Sequence, residues 1–98
     1  NLQAAIDGVG YEFKEMYPKF LGEVGANAAA QMTFKNAMAV EEIHHDLYGK
    51  ALASLKQGKD LPAQDVHVCD ICGNTVYGQA PGQCAVCGAP GARFKKVE

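Results

Sequence analysis

The chain has 98 residues, with 9 Lys and Arg against 11 Asp and Glu, a formal charge of −2 and four cysteines. That length is near the lower limit at which a core stabilises itself, so a staple or a partner is expected. Interspersed charges leave no basic stripe for nucleic acid and no polybasic segment for anionic lipid, and no apolar run approaches the roughly 20 residues of a membrane span. The N-terminus NLQAAIDG lacks a signal-peptide layout,. The expectation is a soluble, cytoplasmic protein that binds neither nucleic acid nor membrane. Asn1, rather than Met, opens the chain; it is expected to mark a cleavage point or the edge of an ordered region, with the chain incomplete.

From Asn1 to about Gly25, Leu2, Ala5, Val9, Met16 and Phe20 recur at helical spacings,. Pro18 lies inside this stretch and predicts a kink near Met16 and Tyr17. Gly22, Gly25 and Asn27 mark its end, and a second helix is predicted from about Ala28 to Lys56, closed by Gly58. A helix that long is typical of a bundle. Residues 59–66 (KDLPAQDV) read as a linker. The remaining residues, 67–98, carry all four Cys and five of the eleven Gly, a composition suited to short turns around a metal,.

Cys69 with Cys72 and Cys84 with Cys87 form two CxxC pairs, each followed by a glycine (Gly73, Gly88). In such a knuckle, backbone N–H groups donate to thiolate and the glycine permits the positive φ of the turn. Two facing knuckles make a tetrahedral sulfur cage for zinc or iron; four sulfurs do not decide between them, and on spacing alone zinc is the favourite, since structural zinc ribbons are common. The alternatives are two disulfides or four unligated thiols; disulfides suit a secreted miniprotein, which nothing here indicates. A tetrathiolate site is closed at four ligands, so His67 reads as a surface or packing residue rather than a fifth ligand. Met16, Met32 and Met38 read as apolar packing residues.

The second helix holds AVEEIHHDLY. At roughly 100° per residue, Ala37, Val40, Leu47, Ala51 and Leu55 cluster around the direction of His44, with Glu41 and Tyr48 in the same arc. Glu42 points to solvent and His45 lies on the flank. The inward pair is therefore Glu41 and His44, spaced Glu-x-x-His, the ligand signature of di-iron carboxylate bundles. The bland alternative is an exposed Glu with a satisfied core His. In the first helix Glu12 shares a face with Ala5, Gly8, Val9 and Met16, and Glu15 lies at its edge. A carboxylate on the apolar face of each helix implies a shared partner.

The cysteine stretch, with Val76, Tyr77, the approach from Ala80 to Cys84, CGAP at 87–90 and Phe94, resembles a rubredoxin-type iron domain. Ala85 stands where many such domains have Pro, and Asn74 where an aromatic is common. Through NLQAAI, YEFKEMYPKF and VEEIHHDLY as well, nearly all of the chain resembles the C-terminal half of a rubrerythrin. The fold this resemblance implies is an all-α helical pair, half of a ferritin-like four-helix bundle, followed by a small rubredoxin-like β/loop domain. By the same resemblance Cys69, Cys72, Cys84 and Cys87 hold a mononuclear iron, Glu12, Glu41 and His44 match non-haem di-iron ligands, and Glu15 and Tyr17 support that site. No catalytic residue is implied beyond the metal ligands. Family members usually carry Glu where this chain has Val9, and that Glu is an iron ligand.

Two helices do not enclose a di-iron site, so the bundle is expected to be completed by an N-terminal half or by a second copy of the chain. The function implied is an NAD(P)H-linked peroxidase reducing hydrogen peroxide to water, fed by an electron-donating reductase or rubredoxin. The alternatives are a non-catalytic rubredoxin-type electron carrier with a degenerate bundle, and a structural zinc ribbon.

Overall fold

The computed structural model describes residues 1–98. Two helical arms come first, and a three-stranded sheet then folds back onto them. Helix α1 (Leu2–Tyr11) starts at Asn1, whose side chain accepts from the Ala4 N–H at 2.9 Å,. It does not run unbroken to residue 25: Glu12–Met16 is a π-helical turn, and α2 (Tyr17–Glu23) resumes after it. Pro18 has no N–H, and its ring crowds the carbonyl four residues back, so the regular hydrogen-bond ladder fails over the preceding turn. The kink predicted at Met16 and Tyr17 thus takes the form of one widened turn just before the proline.

Gly25, at φ +58°, turns the chain, and the Asn27 side chain caps α3 (Ala28–Lys56) by accepting from the Ala30 N–H at 3.0 Å,. The two arms meet closely at Gly10, where an added Cβ would lie 3.6 Å from the His45 ring, and Phe13 meets the same ring edge-on at 5.2 Å. Tyr17, Phe20 and Phe34 form an aromatic cluster that holds α2 to α3, with ring centroids 5.3 to 6.1 Å apart,. In the helical part only Gly10 and Val40 are fully buried. Tyr48 and Leu55, expected on the inward arc, are 39% and 59% exposed, and Met32, expected to be packed, is 65% exposed. Nothing in this chain covers those positions.

After residues 57–65 come β1 (Val66–Cys69), β2 (Thr75–Tyr77) and β3 (Phe94–Lys96) in the antiparallel order β2-β1-β3. His67 pairs with Val76 and Lys96, and Cys69 pairs with Phe94. The small core of this sheet is Cys69, Cys84 and Phe94, with Val76, Ala80, Val86 and Ala89 against it. The fold class is therefore a long helical part followed by a small antiparallel sheet around a cysteine cluster, as the resemblance implies. No helix is long and apolar enough to cross a membrane.

The approach to the second knuckle is pinned where the Gly91 N–H donates to the Gly82 carbonyl at 2.8 Å. A Cβ at Gly91 would overlap the Pro81 carbonyl oxygen, which is backbone and has little freedom to yield. Gly91→Ala is expected to destabilise the cysteine module by about 2 kcal/mol, in the range of overpacked sites. Thermal unfolding followed by metal absorbance checks this; an unchanged midpoint would show that the loop shifts freely.

Candidate metal centre

Both knuckles are built to one plan. In the first, the Gly73 N–H donates to the Cys69 carbonyl at 2.9 Å and the Cys69 N–H to the Asn74 carbonyl at 2.8 Å. In the second, Gly88 donates to Cys84 at 3.0 Å and Cys84 to Ala89 at 2.8 Å. Gly73 and Gly88 hold φ of +87° and +77°, which side chains rarely tolerate, so each turn needs its glycine,. All four thiols are free, and their sulfur atoms lie within 4.8 Å of one another.

Cys69 and Cys87, and Cys72 and Cys84, are 3.7 Å apart at sulfur. A tetrahedron with metal–sulfur bonds of about 2.3 Å has edges of about 3.8 Å, so the cage fits a tetrahedral metal ion. The electrostatics agree. Burial pushes the Cys72 thiol up to about 12, against the Asn74 N–H that bonds it. Burial also opposes ionisation of Cys84, but the Cys87 and Val86 N–H groups, the Asn74 amide and the Cys72 thiol outweigh it and draw Cys84 down to about 6. One thiolate is well supported while its neighbour resists ionising, a conflict that a cation at the centre removes.

A second cluster lies on the helices. His44 Nδ1 is 3.3 Å from Glu41 Oε2, with the side chains 26% and 21% exposed. The Glu12 carboxyl is held above its usual range, first by partial burial, then by the Glu41 charge and a hydrogen bond with Glu41, while His44 pulls it down. Burial, then Glu12 and Glu41, also raise the Tyr17 phenol. Glu12, Glu41, His44 and Tyr17 are thus neighbours, though Tyr17 donates no hydrogen bond to either carboxylate. Glu15 is exposed and lines a separate cleft with Asp7, Gly10, Lys14 and His45. A straight helix would bring Glu15 to the edge of the Glu12 face, and the wider π turn carries it away,. Val9 is half-buried in α1, and Glu42 is exposed.

The two clusters touch. His44 Nε2 is 3.0 Å from the Gly73 carbonyl and 3.2 Å from Thr75 Oγ1, and the Thr75 hydroxyl itself donates to that carbonyl at 3.1 Å. A carbonyl only accepts, so the ring proton sits on Nε2 and Nδ1 presents its lone pair towards Glu41. Two electron-rich atoms 3.3 Å apart are stable with a proton or a cation between them. Ligands at about 2.1 Å from one metal, roughly at right angles, lie about 3 Å apart, so the spacing of this one pair is compatible with a shared cation. Glu12, Glu41 and His44 do not, however, close into one cage as the cysteines do.

Sequence reasoning missed Thr75 and assigned no role to Asn74. Asn74 is only 4% exposed, and its side chain reaches Cys84. Its signal was present, since a polar residue two positions after the second cysteine stands where an aromatic is common. His67 lies in β1 with a buried Nδ1 that has no hydrogen-bond partner, outside the sulfur cage.

The facing of α3 is testable. Glu42→Ala is expected to change stability by less than about 0.5 kcal/mol, as exposed substitutions do. Glu41→Ala removes the oxygen beside His44 Nδ1 and is expected to lower ferrous-iron binding by the helices severalfold. Metal titration of both variants decides; equal losses would contradict the facing.

No protein-family profile matches the chain. Rubrerythrin-2 of Clostridium acetobutylicum is 36% identical over 97 residues, covering 97% of this chain and 53% of that protein. Nigerythrin of Nitratidesulfovibrio vulgaris is 31% identical over 97 residues, covering 96% of this chain and 46% of its own length. The solved structure of fully reduced, all-ferrous nigerythrin superposes with a TM-score of 0.82 at 29% identity, covering 99% of this chain and 48% of that one. The chain thus spans about half the length of the curated relatives it matches. By sequence over nearly all its residues and by fold, it matches the C-terminal half of rubrerythrin-family iron proteins, and its four cysteines are clustered closely enough to hold a metal ion.

Proposed function

We propose that the chain is the electron-relay half of a rubrerythrin-type peroxidase. Cys69, Cys72, Cys84 and Cys87 hold one iron, and Glu12, Glu41 and His44 contribute to a di-iron centre that an N-terminal helix pair, or a second copy, completes. Iron held by these residues would supply one-electron redox chemistry, the two electrons that with two protons take hydrogen peroxide to two waters, and the four cysteines would hold the iron through which those electrons arrive singly. The observation that carries this reading is the His44 ring, set between Glu41 on one side and the Gly73 carbonyl, next to Cys72, on the other.

The chain's own residues make that junction rigid. Gly73 approaches α3 closely enough that an added Cβ would be 3.6 Å from Val40 Cγ1, so the knuckle seats directly on the helix. The Gly73 carbonyl fixes the proton on Nε2, which leaves Nδ1 free as a donor to metal. Thr75 holds both the carbonyl and the ring, so His44 keeps one orientation. Tyr17 lies beside Glu12 and Glu41 with its proton retained, since burial and both carboxylates disfavour the phenolate.

The purified chain is expected to be red, with ferric-thiolate absorption that bleaches on dithionite. A colourless, zinc-loaded protein would overturn the relay and put the structural zinc ribbon ahead. A second reading, an electron carrier with a degenerate bundle, draws on Val9 and on the open arrangement of Glu12, Glu41 and His44.

A further inference from the structure

We infer that Asn74 sets the reduction potential of the tetrathiolate site, through a side-chain hydrogen bond from its amide to the Cys84 sulfur. The inference rests on the proposed reading that this site holds iron. Its geometry stands without that reading. Asn74 is 4% exposed, and its Nδ2 lies 3.7 Å from Cys84 Sγ. Thiolate accepts and does not donate, so the NH2 end of the amide faces the sulfur.

Asn74 touches three of the four cysteines. Its carbonyl accepts from the Cys69 N–H, its N–H bonds Cys72 and its side chain bonds Cys84. The second knuckle supplies an internal comparison. Ala89 occupies the matching place there, its carbonyl accepting from the Cys84 N–H and its N–H bonding Cys87. Ala89 has no side-chain donor, so Cys69, the counterpart of Cys84, receives no such bond. One sulfur of the cage is therefore singled out. An aromatic at position 74 would fill the same space without supplying an amide.

The sign follows from charge. Four thiolates around ferric iron carry a net −1 and around ferrous iron −2, so sulfur is the better acceptor in the reduced form. A donor aimed at sulfur stabilises the ferrous state more and raises the potential. Burial keeps water from competing for the same lone pair, which enlarges the difference.

Asn74→Leu keeps the volume and removes the donor. At a fixed applied potential its ferrous-to-ferric ratio is expected to fall about tenfold, which is 59 mV for a one-electron couple. Asn74→Asp, of the same shape with carboxylate oxygen towards sulfur, is expected to fall further if it loads iron. Spectroelectrochemical titration reads both, and a potential for Asn74→Leu equal to that of the unaltered chain overturns the inference. Cadmium-113 substitution of the unaltered chain needs no variant: a proton–cadmium correlation from the Asn74 side-chain amide is expected, and correlations confined to backbone amides would refute the bond. A chain that loads only zinc defeats the iron reading, and the cadmium spectrum still decides the bond.

Discussion

Cys84→Ser is expected to cost the chain its tetrathiolate metal and, with it, the fold of residues 66–98. Cys84 is 2% exposed and is one of only three fully buried residues in the small core of the sheet. The three strands have 4, 3 and 3 residues, too little apolar surface to offset the ordering of so many loop residues,. In units of this size, metal binding contributes to folding outright, on the order of 10 kcal/mol for structural tetrahedral sites. Serine at position 84 leaves three sulfurs, and the donors from Val86, Cys87 and Asn74 lose their thiolate acceptor. The thiolate colour should vanish, and amide protection in β1 to β3 should fall, while the α3 amides away from His44 stay protected. A variant that keeps one metal per chain and a dispersed spectrum for residues 66–98 would refute this.

The cysteine module was legible because metal chemistry writes itself in short spacings: CxxCG twice constrains ligand, turn and glycine together. The helical limits at Ala28 and Lys56 were legible for a similar local reason, an Asn cap at one end and a positive-φ glycine, Gly58, just past the other,. Three features escaped. The π turn at Glu12–Met16 needs the hydrogen-bond ladder that Pro18 breaks, which a fixed angle per residue does not register, and Glu15 was misplaced in consequence. Gly10, packed under His45, reads in sequence as a weak helix position rather than as a point of close approach between the two arms. The seating of Gly73 on Val40 and His44 joins residues about 30 positions apart, and no local pattern encodes it. The inward facing of Glu41 and His44 was predicted from helical phase, but their contact with the cysteine module was not.

Supplying the missing side of the bundle is expected to raise peroxidase turnover from near zero, and Val9→Glu to raise it again. Val9 and Glu12 are three apart on α1 and its π turn, so a carboxylate at position 9 joins the face that carries Glu12 opposite Glu41,. Without metal that change is unfavourable. It adds a negative charge beside a pair whose mutual repulsion already helps hold the Glu12 proton, and like charges at this spacing cost a few tenths of a kcal/mol,. With ferrous iron the sign reverses, because each added carboxylate neutralises cation charge and satisfies an open coordination position. The variant alone should therefore melt slightly below the unaltered chain in chelator and above it in iron. Mixing either chain with the N-terminal half of the Clostridium acetobutylicum relative gives the activity comparison, with iron counted per complex. If turnover appears with the partner half but Val9→Glu leaves iron occupancy and rate unchanged, solvent or another side chain already fills the position. If no turnover appears with either chain while the cysteine site remains red, the bundle is degenerate and the chain is an electron carrier.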